Sequence, residues 1–280
     1  MRAVDDLSFE VSRGRVTGFL GPNGAGKTTT IRMILGLARP TSGEAQVDGR
    51  SYAELPDPAQ MVGALIDGAD AHPMRSGRDH LRILAAERGV DRAGVDEALE
   101  TVGLSDSAGR RVGEFSLGMR QRLGLAGALL ANPELLILDE PANGLDPVGI
   151  RWLRSFLRDW ADGGRSVFVS SHQLAEISQL ADEVIVLNRG RFVTQKPVAA
   201  LTSGHGASVR SPDAERLGQA LKEAASSIRL EGDRLLVEGL SSAEIGEAAA
   251  RERLVLHELT PTMQSLEDVF LALTAGDEDK

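Results

Sequence analysis

Short apolar runs alternate with longer segments of helical periodicity over the first two hundred residues. Apolar positions that alternate with polar ones, or that follow one another for four or five residues, are typical of strands, whereas spacings of three and four residues are typical of helices. The pattern predicts strands at 7–11, 16–20, 62–66, 135–138, 166–170 and 183–187. It predicts helices at 27–37, 150–160 and 174–181, and a mostly helical stretch over 77–130. Strands that alternate with helices in this way favour an α/β fold.

A second pattern begins after residues 204–207, which have the small-residue composition of a linker. The elements predicted beyond it are a strand, a helix, a hairpin, a helix and a strand, at 208–210, 214–225, 228–238, 243–250 and 254–259. This βαββαβ order is that of a ferredoxin-like domain. A last helix is predicted at 265–273. The sequence therefore predicts a domain at 1–203 and a small α+β domain at 208–280.

The loop between the second predicted strand and the following helix has the sequence of a phosphate-binding P-loop. It fits the pattern G-x-x-x-x-G-K-[ST] with the residues Gly21, Pro22, Asn23, Gly24, Ala25, Gly26, Lys27 and Thr28. Glycines allow successive backbone N–H groups to face phosphate oxygens, and the helix adds its positive end. We expect Lys27 to reach the β- and γ-phosphates of ATP, Thr28 to bind Mg²⁺, and Thr29 to belong to the same site. The plainer alternative is a glycine-rich turn before a helix.

Two acids, Asp139 and Glu140, directly follow the apolar run at 135–138. In P-loop enzymes an Asp at the end of a neighbouring strand holds Mg²⁺, and we assign that role to Asp139. A carboxylate beside it can align a water molecule and accept its proton, and we assign that role to Glu140. Taken alone, the pair could be two acids that meet solvent at a strand end. The P-loop upstream favours the functional interpretation, because the pair supplies the metal ligand and the base that the loop lacks.

Three further motifs resemble those of the ATP-binding subunits of ABC transporters, in that family's order. Residues 115–119 (FSLGM) resemble the signature motif, residues 143–146 (NGLD) resemble the D-loop, and His172 resembles the switch histidine. The resemblance covers about residues 1–200. It implies an α/β P-loop NTPase of the ABC ATPase type, with a helical subdomain at about 72–130 that contains the signature motif.

The resemblance also implies how the nucleotide is bound between two copies of the chain. Ser116 and Gly118 would cap the γ-phosphate held by the P-loop of a second copy, in a head-to-tail homodimer. His172 would contact the γ-phosphate, and Asp146 would belong to the nucleotide site. By their positions alone, Ser116 could be an ordinary helix N-cap and His172 a polar residue at a strand end.

The sequence departs from the family's pattern at several positions. Asp67 follows the strand at 62–66, where the family usually has a Gln, and it could still bind Mg²⁺ or the attacking water. The aromatic residue that stacks on adenine in the family would precede Met1. In the signature, Leu117 and Met119 stand where Gly and Gln are commonest. This variant, and the ending at 266–274, resemble the bacitracin- and daunorubicin-type exporters.

Composition and charge narrow the choice of partner. The chain of 280 residues has no cysteine and a net charge of −10, and an acidic chain is a poor general binder of nucleic acid. No apolar run approaches eighteen residues, so we expect no membrane span, and residues 1–10 lack the apolar core of a secretion signal. The resemblance then implies a cytoplasmic subunit held at the inner face of the cell membrane by a separate transmembrane permease, and the acidic charge leads us to expect no nucleic acid partner. The alternatives are an ABC-type ATPase that acts on ribosomes or DNA, and a nucleotide-gated scaffold with little turnover.

Overall fold

The computed structural model describes residues 2–66, 71–202, 206–262 and 266–275. The chain divides into two units, Met1–Lys196 and Pro197–Lys280. The sequence pattern places this division later, at residues 204–207, whereas the first strand of the second unit already begins at Gly206. A Cβ on Gly206 would lie 2.8 Å from the carbonyl oxygen of Val237. The glycine that indicated a flexible linker is therefore required by the close approach of a neighbouring strand.

The first unit contains a sheet in which five neighbouring strands run parallel. Its strands, within the described residues, are β1 (Val16–Leu20), β2 (Val62–Leu65), β3 (Leu135–Asp139), β4 (Ser166–Ser171), β5 (Glu183–Asn188) and β6 (Arg191–Pro197). They lie in the order β2-β3-β4-β1-β5-β6. The parallel pairs are β2–β3, β3–β4, β1–β4 and β1–β5. Strands of such a sheet are covered on both faces, which explains why β3 and β5 have continuous apolar runs of four residues.

The helices of the first unit connect these strands and form the stretch between β2 and β3. They are α1 (Lys27–Ile34), α2 (Pro58–Met61), α3 (Gly77–Glu87), α4 (Arg92–Thr101), α5 (Leu117–Leu129), α6 (Pro147–Asp162) and α7 (Leu174–Leu180). The mostly helical stretch predicted at 77–130 is thus α3, α4 and α5 with two short 3-10 turns, Ser105–Ser107 and Val112–Glu114. Helix α1 is shorter than predicted because Gly36 adopts a left-handed conformation (φ 69°) that ends it.

The strand predicted at 7–11 is wrong, because these residues, all within the described part of the chain, have no strand structure. Their alternation nevertheless reflects burial, since Leu7, Phe9 and Val11 pack against the core. The ring of Phe9 lies 5.5 Å from that of Phe19 and 5.8 Å from that of Phe168. An alternating pattern reports which side chains face the core, and a strand additionally needs a partner for its backbone hydrogen bonds.

The second unit has the βαββαβ order, preceded and followed by a helix. Its elements are α8 (Val198–Thr202), β7 (Gly206–Arg210), α9 (Ala214–Leu221), β8 (Ser227–Glu231), β9 (Arg234–Glu238), α10 (Ser242–Arg251), β10 (Glu258–Pro261) and α11 (Leu266–Ala275). The described strands form an antiparallel sheet in the order β10-β7-β9-β8. The last strand begins four residues later than the predicted 254–259, because Leu254 packs into the core from the turn after α10.

Candidate functional site

The candidate site lies at one edge of the first unit's sheet. The strands β1, β3 and β4 are parallel, so their carboxyl ends meet at the same edge. The P-loop follows β1, the pair Asp139 and Glu140 ends β3, and His172 follows β4. An open parallel sheet binds its ligands outside the carboxyl ends of its strands. The topology therefore collects three separate segments of the sequence in one place.

Glycines shape the P-loop so that helix α1 begins with unoccupied backbone donors. Gly24 and Gly26 have φ values of 81° and 101°, which only glycine adopts without strain. Gly26 is the N-cap of α1, and within the described structure no side chain caps this helix. The first N–H groups of α1 are therefore available to an anion, and the helix dipole favours negative charge at the same point. Along the loop, Pro22 and Asn23 are exposed and Ala25 is buried, while Thr29 is half-buried.

Lys27 is buried at the centre of the site and links the P-loop to the acidic pair. Its side chain is 7% exposed. Its Nζ donates to the carbonyl oxygen of Gly21 at 2.7 Å and lies 3.3 Å from Glu140 Oε1. A buried ammonium requires such partners, because desolvation penalises an unpaired charge. The cation is thus held where both a carboxylate and an incoming phosphate could reach it.

A network of short oxygen–oxygen hydrogen bonds joins Thr28, Asp139 and Ser170. The hydroxyl of Thr28 donates to Asp139 Oδ2 at 2.6 Å, and the hydroxyl of Ser170 donates to Asp139 Oδ1. Hydroxyl and carboxylate oxygens are the hard ligands that Mg²⁺ prefers. The donor set therefore fits a magnesium ion bound by Thr28 and Asp139. Among the described residues there is no cluster of three or more His, Asp or Glu that could hold a metal by itself.

Glu140 is held at four atoms by five different residues. Its Oε2 lies 2.8 Å from His172 Nδ1, and its Oε1 faces Lys27 as described above. Its backbone N–H donates to the hydroxyl of Ser170 at 3.0 Å. Its carbonyl oxygen accepts from Gln121 Nε2 at 3.2 Å and from the N–H of Asn143 at 3.2 Å. A carboxylate with its peptide and its side chain both fixed is suited to act as a general base. Glu140, His172 and Lys27 were predicted as site residues from the sequence, whereas Ser170 and Gln121 were not.

The predicted signature and D-loop residues form a second cluster in the first unit. Ser116 is the N-cap of α5 and accepts from the N–H of Met119 at 3.1 Å. Asp146 caps α6 in the same way and accepts from the N–H of Gly149 at 2.8 Å. Both side chains therefore have the structural roles that their positions allow, and Ser116 is also exposed at the helix end.

Two glycines bring the signature and the D-loop together. A Cβ on Gly118 would lie 2.8 Å from the carbonyl oxygen of Gly144. Gly144 itself has a φ of 77°, and a Cβ there would overlap the side chain of Leu117. The two loops are thus packed too closely for larger residues.

Asp67, the remaining predicted ligand, lies outside the described residues.

Glu176 is a further acid near the site that the sequence analysis did not single out. Burial raises the pKa of Glu176 above its ordinary value of 4.5; the charge of His172 lowers it, and the charge of Glu140 raises it further. The net effect is a raised pKa, so Glu176 keeps its proton to a higher pH in the folded chain than in the unfolded chain. The stability that this group contributes is full below pH 4.5 and is lost as the pH rises through the folded-state pKa.

We therefore expect Glu176→Gln to raise the melting temperature relative to the wild type at pH 7 to 8. The difference should shrink towards pH 4, because Glu176 is protonated there in both folded and unfolded chains. Thermal unfolding followed by circular dichroism across this range measures the effect. The control is Glu97→Gln, which removes an exposed carboxylate from α4. Equal pH profiles for wild type and Glu176→Gln would contradict the prediction.

Comparison with known protein families gives two matches along the chain. A family model described as ABC transporter matches residues 4–143. A second, described as a domain of unknown function, matches residues 205–267. The two matches fall in the first and the second unit respectively.

Individual relatives agree with the first of these matches. The bacitracin transport ATP-binding protein of Enterococcus faecalis is 36% identical over 282 residues, which cover 98% of this chain and 92% of that protein. The protein of the same description from Bacillus licheniformis is 44% identical over 199 residues; the match spans 70% of this chain but only 65% of that protein's length. Among solved structures, an ATP-binding subunit of an ABC transporter is 29% identical, with a TM-score of 0.64 over 71% of this chain and 85% of that one.

Proposed function

This chain belongs to the ABC transporter family, and from that premise we propose that it is the ATP-binding and ATP-hydrolysing subunit of an exporter. The observation that carries the proposal is the position of the Glu140 carboxylate, between Lys27 at 3.3 Å and His172 at 2.8 Å. A carboxylate in contact with a phosphate-binding lysine and an imidazole is placed for attack of water on a γ-phosphate.

Each of these residues has a separate role in the proposed reaction. The backbone donors of the P-loop and Lys27 bind the phosphates of ATP. Glu140 orients a water molecule and accepts its proton as the water oxygen attacks the γ-phosphorus. The bond from that phosphorus to the β–γ bridging oxygen breaks, and the products are ADP and phosphate. His172 holds Glu140 and contacts the transferred phosphoryl group, whose charge it can stabilise when protonated.

Magnesium is the metal that this site is suited to hold. Thr28 and Asp139 supply a hydroxyl and a carboxylate oxygen that are 2.6 Å apart. Ser170 donates to the other Asp139 oxygen and so fixes the orientation of that carboxylate. A magnesium ion held by Thr28 and Asp139 would supply positive charge to the triphosphate and so would stabilise the charge that develops during its cleavage. Asp139 is 6% exposed, so a bound cation would also compensate a buried carboxylate.

The complete nucleotide site is proposed to need a second copy of the chain. Ser116 is exposed at the N-terminal end of α5, and the positive end of a helix dipole favours an anion there. In a head-to-tail homodimer this end would face the γ-phosphate bound by the partner's P-loop. Gly118 allows the close approach of Gly144 that fixes this helix end. Asp146, which caps α6 in the same cluster, would contribute to the site through this loop.

Transport requires a membrane partner. In the described part of the chain, no helix has the length and apolar character to cross a membrane. Two relatives are described as bacitracin transport ATP-binding proteins. We propose that this chain pairs with a separate transmembrane permease, lies at the membrane through it, and powers export of an antibiotic, a peptide or another amphipathic compound. Its helical subdomain at about 72–130 would carry the contact to the permease.

Two measurements on the full chain test the proposal. The first is ATP hydrolysis with Mg²⁺, which is expected for the wild type and should depend on Glu140. The second is identification of proteins that co-purify with the tagged chain from gently solubilised membranes of the native host. A polytopic membrane protein at matching stoichiometry would support the transporter role. Recovery with ribosomes or DNA alone would overturn that role and leave the ATPase assignment standing.

A further inference from the structure

The backbone of Glu140 has a conformation that needs support from its surroundings. Its φ is 48°, in the left-handed region that a residue with a side chain rarely adopts. Such a residue persists only where the surrounding structure over-determines it, and this is commonest at functional sites. The same φ sets the direction in which the side chain leaves the backbone. Whatever holds this peptide therefore also sets the position of the carboxylate.

Two buried side chains hold the backbone of Glu140, one on each side of its Cα. The N–H of Glu140 donates to Ser170 Oγ at 3.0 Å, and its carbonyl oxygen accepts from Gln121 Nε2 at 3.2 Å. The same carbonyl also accepts from the backbone N–H of Asn143 at 3.2 Å. Gln121 is 6% exposed and Ser170 is fully buried. Ser170 belongs to the neighbouring strand β4 and also donates to Asp139. Gln121 comes from a different part of the unit and contacts the peptide through a single hydrogen bond.

The location of Gln121 connects two parts of the proposed reaction. It lies on α5, five residues after Ser116, the N-cap that opens this helix. Residues on one α-helix keep a fixed spacing of about 1.5 Å of rise each. A small shift of the helix end at Ser116 therefore moves the amide group of Gln121 with it. This movement would change the hydrogen bond that the carbonyl oxygen of Glu140 accepts from Gln121.

We propose that Gln121 is a positioning residue that couples helix α5 to the catalytic carboxylate through the carbonyl of Glu140. The inference rests on the proposed role of Glu140 as the general base. Without the amide donor, the Glu140 backbone loses one of the two side chains that stabilise its left-handed conformation, and its carbonyl keeps only the backbone N–H of Asn143. The carboxylate then spends less time between Lys27 and His172, although the P-loop that binds ATP is unchanged.

The test replaces Gln121 in the full chain and separates kcat from KM. Gln121→Met removes the amide and keeps an unbranched side chain of similar length. We expect kcat for ATP to fall about 10-fold, since small misplacements of reacting groups cost between one and two orders of magnitude, while KM and the ATP Kd stay within twofold. Gln121→Glu has the same shape and, when ionised, has no proton to donate, so it should give the same loss.

The control variant removes a buried polar contact from β1, in the sheet whose strand β3 precedes Glu140. Thr17 is fully buried on β1, and its hydroxyl donates to Glu183 Oε1 at 3.2 Å. Thr17→Val should lower the melting temperature and leave kcat unchanged. If the Gln121 variants lost activity only by unfolding, their kcat per folded molecule would equal that of the wild type, and the proposal would be overturned.

A double-mutant cycle separates this inference from the proposed function. In a Glu140→Gln background, Gln121→Met should cause no further loss of single-turnover rate, because it acts through the missing carboxylate. A full additional 10-fold loss in that background would overturn the coupling. Unchanged kcat in Gln121→Met with an active wild type would overturn this inference alone. A wild type that does not hydrolyse ATP would overturn both.

Discussion

Glu140→Gln is expected to lower kcat for ATP hydrolysis by about 10²- to 10⁴-fold, the range that a positioned general base contributes. The amide has nearly the shape of the carboxylate and can still face Lys27 and His172, but it cannot accept the proton of the attacking water. ATP binding should persist, because the P-loop donors and Lys27 remain in place. Steady-state phosphate release measures kcat, and calorimetric titration with ATP measures the Kd.

The matched control for this variant is a glutamate at the other end of β3. Glu134 directly precedes β3, at the end opposite to Glu140, and its side chain is exposed. Glu134→Gln makes the same chemical change and should leave both kcat and the ATP Kd unaltered. Equal hydrolysis rates for wild type and Glu140→Gln would refute the assignment of Glu140 as the base. They would also favour a nucleotide-gated scaffold over a hydrolase.

The parts of the site that were predictable from sequence are those whose chemistry lies in consecutive residues. The P-loop is a local object, in which the spacing of Gly21, Gly26 and Lys27 already determines what the backbone can bind. The acids Asp139 and Glu140 follow an apolar run, and the end of a buried strand is where such residues meet ligand. The strands at 135–138 and 183–187 were also predictable, because buried strands of a parallel sheet give continuous apolar runs.

The roles of Ser170 and Gln121 could not be predicted, because they depend on how distant segments align. Ser170 reaches Asp139 since the two residues are partners in the register of β3 and β4, and register between strands is a tertiary property. Ser166, Ser170 and Ser171 all lie on β4, so the sequence does not indicate which of these serines reaches Asp139. Gln121 contacts Glu140 through the packing of α5. It lies between Arg120 and Arg122, and nothing in this polar run indicates that Gln121 is the residue that faces Glu140.

Two local sequence patterns also have a structural explanation that differs from the one predicted for them. Asp146 is followed by Pro147, and an N-cap acid before a proline is the usual start of a helix. The structure gives Asp146 this capping role. The alternation at 7–11 likewise reported core packing of Phe9 rather than a strand. In both cases the same sequence pattern is compatible with two structural roles. Only the neighbouring residues in the folded structure show which role applies.

Lys27→Ala is expected to raise the Kd for ATP by about 10- to 100-fold. A charged hydrogen bond contributes about 1.5–3 kcal/mol, and each 1.4 kcal/mol corresponds to about a tenfold change in Kd. Lys27 is 7% exposed, and its Nζ is already 2.7 Å from the carbonyl oxygen of Gly21. The ammonium is therefore fixed before ATP binds and loses little freedom on contact with the phosphates.

Lys27→Arg should not restore ATP affinity, because a planar guanidinium cannot replace a compact ammonium in a buried position fitted to one nitrogen. Both variants should also lower the hydrolysis rate, since Glu140 would lose the cation that lies 3.3 Å from its Oε1. Lys196→Ala is the control, because Lys196 is exposed on β6. Isothermal titration with Mg²⁺-ATP measures the Kd of each variant. A Kd for Lys27→Ala within twofold of the wild-type value would mean that the backbone donors of the loop and α1 bind the phosphates without the lysine.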